Sequence, residues 1–140
     1  MQSLSSITSV AHVIQLAVAP VFLLTGVGAI LAVLVNRLGR VVDRFRTLER
    51  SEAAATARVE MGILERRARL IHWAIGLCTG CALLVCIVIA CLFLGSVTGL
   101  DLSVPIAVLF VLAMLSLVAG LLCFLREIAL ATGGIHVVPR

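Results

Sequence analysis

Residues 13–35 read VIQLAVAPVFLLTGVGAILAVLV, 23 residues without a charged side chain. The hydrocarbon core of a bilayer needs roughly 20 residues of helix, so this run can cross alone. Two more runs have the same character. Residues 73–94 (WAIGLCTGCALLVCIVIACLFL) and 102–125 (LSVPIAVLFVLAMLSLVAGLLCFL) are also uncharged. All three lack the apolar–polar alternation of a barrel strand. Backbone polar groups in lipid must be satisfied within the segment, which leaves helix. The composition agrees: the chain has 140 residues, 62% hydrophobic and 13% charged, with a mean hydropathy of +1.24. Disorder, a coiled coil, a collagen-like chain and a disulfide-stapled domain are excluded. A soluble globule this short has too little interior to hide so much apolar surface.

The arginines set the direction. All 11 basic residues are Arg, and nine lie between the first two runs: Arg37, Arg40, Arg44, Arg46, Arg50, Arg58, Arg66, Arg67 and Arg69. The link 95–101 has no basic residue and one acid, Asp101. The positive-inside rule predicts a cytoplasmic segment at 36–72, an external N-terminus at 1–12, an external link at 95–101 and a cytoplasmic tail at 126–140. No basic residue precedes the first run, and the run is longer than a signal-peptide core, so it is expected to remain as a span. The expected fold class is an all-α integral membrane protein: three transmembrane helices with a cytoplasmic helical hairpin between the first and second.

Residues 13–46 read VIQLAVAPVFLLTGVGAILAVLVNRLGRVVDRFR, and 63–75 read ILERRARLIHWAI. These stretches resemble the bacterial membrane family called domain of unknown function 2721. The likeness extends over about 7–131 and is densest in IQLAxAPVFLLTGxGA followed by NRLxRxxDR. It implies a small three-span protein of the bacterial cytoplasmic (inner) membrane and assigns no activity.

The segment 36–72 contains no Pro and is rich in Ala, Arg, Glu and Leu, which favour helix. Leu34, Leu38, Val41, Val42, Phe45 and Leu48 recur at three- and four-residue steps, as do Ala57, Met61, Leu64, Ala68 and Ile71. These are two amphipathic stripes. They predict a helical hairpin that turns near Ser51, with Ser51 capping the second arm and Glu52 in its first turn. Antiparallel pairing then brings Arg44 near Glu60, and Arg37 or Arg40 near Glu65. Glu65 and Arg69 form an i,i+4 pair of favourable polarity. The segment carries nine Arg against five acids. It reads either as a docking face for anionic lipid headgroups or an acidic partner, or as a solvated hairpin whose arginines serve topology. Without aromatic interleaving, no nucleic-acid partner is expected.

Inside the spans the chemistry is sparse. Cys78 and Cys81 form a CxxC, but in an apolar helix they read as packing residues. No Asp, Glu, Lys, Arg or His lies within any run, which argues against a pump. No catalytic, cofactor-binding or metal site is assigned, and the protein is not expected to be an enzyme. Pro20 removes a backbone donor and predicts a kink. Gly76 and Gly80, and Ser116 and Gly120, have the small-xxx-small spacing of close helix packing. Gln15, Thr25, Gly26 and Gly28 make the first run the least lipid-like, so they are the candidate lining of a shared interior. The functional expectation is a homo-oligomeric, channel-like permeability element of the inner membrane. The alternative is a non-conducting scaffold or regulatory subunit that binds a partner through its hairpin.

Overall fold

The computed structural model describes residues 1–50 and 56–133. Three helices account for nearly all of them: α1 (Gln2–Glu49), α2 (Thr56–Thr98) and α3 (Ser103–Gly133). Each is long and apolar enough to cross a membrane. At 1.5 Å per residue, α1 and α2 are about 72 and 64 Å long, more than twice a hydrocarbon core of about 30 Å. Both therefore project well beyond the apolar runs that define them. The predicted turn at Ser51, its cap and Glu52 lie outside the described residues.

Helix α2 is central. It packs along both α1 and α3, whereas α1 and α3 barely touch. The packing is antiparallel. Ile14 and Val21 of α1 share a cleft with Ile89 and Phe93 of α2, while Arg44 and Glu60 pair at the other end. Ser116 of α3 lies against Leu77 of α2.

The buried positions explain this order. In α1 they include Pro20, Val27, Leu34 and Val41, in α2 Ala57, Leu64, Ile71, Cys78 and Val85, and in α3 Ala113, Gly120 and Glu127. Every step in these series is seven residues. A second seven-residue series, Ala74, Cys81 and Val88, gives α2 a wider seam. Such a repeat keeps an apolar stripe against its partner when helices coil left-handedly around each other. The two amphipathic stripes of the Arg-rich segment fall on this seam: Leu34, Val41, Ala57, Leu64 and Ile71 are buried, with Phe45, Leu48 and Ala68 packed beside them.

The helices also run through segments outside the apolar runs. The 1–12 segment is helical from Gln2 onward. Its hydroxyls at Ser5, Ser6, Thr8 and Ser9 donate to carbonyls three or four residues back, so the polar side chains are satisfied without leaving the helix. Helix α1 continues through Pro20, which is buried. At the far end, α3 extends through Gly133, so the first part of the expected tail is helix. The α2–α3 turn is short. Gly99 adopts φ +68° and its N–H donates to the Gly95 carbonyl at 3.0 Å, the left-handed residue that commonly ends a helix. Asp101 then accepts from the Ser103 hydroxyl and backbone N–H at the start of α3, and these bonds hold its carboxyl below the usual range.

Candidate functional site: an arginine cage around Glu127

The apolar part of α3 ends at Leu125, and Glu127 follows two residues later. It continues the series Ala113, Gly120, Glu127, so its side chain turns inward and is fully buried. A buried carboxylate is expensive unless it is paired and hydrogen-bonded. Glu127 is doubly paired. Arg37 of α1 donates from Nη1 to Oε2 at 2.9 Å. Arg67 of α2 donates from Nε and Nη2 to Oε1 at 3.1 and 2.9 Å. One carboxylate thus joins all three helices. The Arg37 guanidinium also lies 5.1 Å from the centre of the Phe124 ring, a cation–π distance. Arg37 and Phe124 with Glu127 supply the contact that α1 and α3 otherwise largely lack.

Beyond this bridge, Arg44 donates from Nε and Nη2 to Glu60 at 3.0 and 2.9 Å. Arg37, Arg40, Arg44 and Arg67 surround a cavity of about 320 Å³, with Val41 and Leu64 as its apolar floor. Arg40 makes no ion pair among the described residues. Arg37, Arg44 and Arg67 each keep guanidinium N–H groups beyond those bonded to carboxylates.

Several expected site residues fall elsewhere. Arg37 binds Glu127, not Glu65. Glu65 is exposed and, among the described residues, pairs only along its own helix, with Arg69 at 3.1 Å. The reason is reach: Glu127 sits on the seam between helices, whereas Glu65 projects to the outside of α2. Charge reversal at Glu65 should therefore change unfolding by no more than about 1 kcal/mol, since the lost exposed i,i+4 attraction and the repulsion that replaces it are each worth about 0.2–0.5 kcal/mol. A larger shift in a denaturation midpoint would place Glu65 in a wider network.

The small residues also separate. A Cβ on Gly120 would stand 3.0 Å from Cys78 Sγ and 3.3 Å from Leu77 Cβ, and one on Gly80 would lie 3.6 Å from Ser116 Oγ. Ser116 donates to the Leu77 carbonyl at 2.7 Å. These three residues meet at the α2–α3 contact inside one chain. Gly76 does not join them: it is exposed, with open space where a Cβ would go. It lies one turn from Gly80 on the same side of α2, just beyond the edge of the α3 contact. Gln15, Thr25, Gly26 and Gly28 are all exposed on α1, and a Cβ at either glycine would meet nothing. The Thr25 hydroxyl donates to Val21 of its own helix at 3.4 Å. Cys78 and Cys81 are buried free thiols on the α2 seam.

Sequence reading missed Glu127, Arg67 and Phe124. Glu127 follows Arg126 just past an apolar run and looks like the start of a polar tail. The available signal was the seven-residue step from Ala113 through Gly120.

No curated protein and no solved structure matches the chain. A family model matches residues 17–137, which include the cage, the second and third apolar runs and all but the first four residues of the first. The chain belongs to the family described as protein of unknown function, DUF2721.

Proposed function

We propose that the protein is a non-enzymatic scaffold or regulatory subunit of the inner membrane, which presents the joined ends of α1 and α2 to the cytoplasm as a stiff cationic arm. The observation that carries this reading is the Glu127 bridge. It ties Arg37 and Arg67 to α3 where the apolar runs end, so the arm is fixed to the spans. Residues 36–49 and 56–72 extend it by about 21 and 25 Å at 1.5 Å per residue. The cytoplasmic side follows from nine arginines between the first two spans and none in the opposite link. A reporter fused after Arg50 should be active only in its cytoplasmic form; activity only outside would reverse the topology. A photo-crosslinker at Gly62, exposed on the arm, should give a discrete adduct with another protein. The same group at Leu115, exposed on α3, should give none.

A homo-oligomeric, channel-like element is the second reading, favoured by the open face of α1. Gln15, Thr25, Gly26 and Gly28 are exposed around the outward side of α1, and none makes a side-chain hydrogen bond to α2 or α3 among the described residues. Leu in place of Gly28 clashes with nothing in one chain, so any loss of self-crosslinking or of liposome conductance would report contact between copies. The same change at Ala107 is the control. A Gly28→Leu protein that assembles and behaves like the parent removes this reading.

A further inference from the structure

We propose that the cavity lined by Arg37, Arg40, Arg44 and Arg67 binds the phosphate group of an anionic phospholipid. Four arginines line it. Two carboxylates, Glu127 and Glu60, answer them, so the lining keeps an excess of two positive charges. Its volume of about 320 Å³ lies in the range of small-ligand pockets, roughly 300–1,000 Å³.

The ion pairs hold three of the four cations in place before any ligand arrives. Arg37 and Arg67 are anchored on Glu127, and Arg44 on Glu60. Arg40 has no such anchor among the described residues and is the group with the most donors to offer. A phosphate presents several oxygens to planar guanidinium forks, which suits this arrangement better than a single carboxylate does.

The level in the membrane points to a lipid. Arg37 stands two residues past the end of the first apolar run, and Arg67 six residues before the second. At 1.5 Å per residue Arg37 stands about 3 Å, Arg40 about 8 Å, Arg67 about 9 Å and Arg44 about 14 Å beyond the apolar runs, so the cavity begins in the headgroup layer, about 5–8 Å deep on each side, and opens outward from it. One turn toward the span, Val33 is exposed and apolar, so a headgroup in the cavity has a surface beneath it that suits an acyl chain. The site requires the chain to span a membrane, but neither its sidedness nor the scaffold role. Lipid binding and partner crosslinking can therefore fail independently.

The test uses the full chain in phosphatidylcholine nanodiscs doped with phosphatidylglycerol, with bound lipid measured by native mass spectrometry. The parent should retain phosphatidylglycerol over phosphatidylcholine. Arg40→Gln and Arg44→Gln should each lower that preference at least about tenfold, the loss of one charge-assisted hydrogen bond to the phosphate. Arg126→Gln, on the exposed face of α3 at the same end, should leave it unchanged, and the preference should weaken in high salt. Equal retention of both lipids, or equal loss in Arg40→Gln and Arg126→Gln, overturns the site. A separate arm adds inorganic phosphate to neutral nanodiscs and follows thermal unfolding. Stabilisation of the parent but not of Arg40→Gln, with no lipid preference, would keep the phosphate site and overturn its assignment to lipid.

Discussion

Replacing Glu127 with alanine is expected to destabilise the folded chain by about 2–4 kcal/mol, slightly below the usual cost of removing one partner from a buried ion pair. Glu127 is wholly buried, while its partners Arg37 and Arg67 have side chains 38% and 25% exposed. Once the carboxylate is gone, two guanidinium groups face each other without a counter-charge. Their partial exposure lets water and headgroups recover part of the loss, which sets the estimate below the fully buried case. Glu127→Gln keeps an acceptor and loses the charge, so it should fall between the parent and the alanine variant. Glu60→Ala is the comparison. Its pair with Arg44 is 40% and 56% exposed, and such pairs are worth about 0.2–1 kcal/mol. Unfolding midpoints in one detergent should rank the variants in that order. Equal midpoints for Glu127→Ala and Glu60→Ala would mean that the bridge does not hold the helices together. Because α1 and α3 depend on this contact, Glu127→Ala should also expose the α1–α3 boundary to proteolysis near Leu125 before the α2–α3 contact opens.

Leucine at position 120 is the second large effect, with an expected loss of more than about 2 kcal/mol. Even the first carbon of the new side chain would stand 3.0 Å from Cys78 Sγ and 3.4 Å from the Ala74 carbonyl. The sulfur can shift, but the backbone oxygen cannot without moving α2. Overpacking of this kind costs about 1–3 kcal/mol. Separation of the helices also removes the Ser116 bond to the Leu77 carbonyl, worth about 0.6–2 kcal/mol within a membrane. Gly76→Leu, with open space around it, should be nearly silent in the same unfolding assay. A Gly120→Leu protein as stable as Gly76→Leu would contradict the close α2–α3 contact.

These two sites show where sequence reading reaches and where it stops. The pairs Gly76 and Gly80, Gly28 and Ala32, and Ser116 and Gly120 look alike in sequence, since each places two small residues one turn apart. Small residues permit close approach without naming a partner, and which face is used depends on where the neighbouring helix lies. The fold places Gly80, Ser116 and Gly120 in the α2–α3 contact, leaves Gly76 and Gly28 open, and makes α2 the middle helix. The pairing of Arg44 with Glu60 was legible because both lie on neighbouring arms whose order is set by a short connection. The partner of Arg37 was not, because Glu127 is 90 residues away in the chain and nothing local distinguishes it from a solvated acid.

What the sequence determined by itself is the set of apolar runs and their helical state. Length, absence of charge and the need to satisfy every backbone group in lipid leave no other solution. It also determined the amphipathic stripes that extend α1 and α2 beyond those runs, because helical periodicity is a local property. Only the tertiary structure decided that a glutamate two residues past the last run lies on the seam of all three helices. Its burial depends on two arginines brought from distant parts of the chain, and the free energy that makes a buried charge tolerable exists only once they are in place.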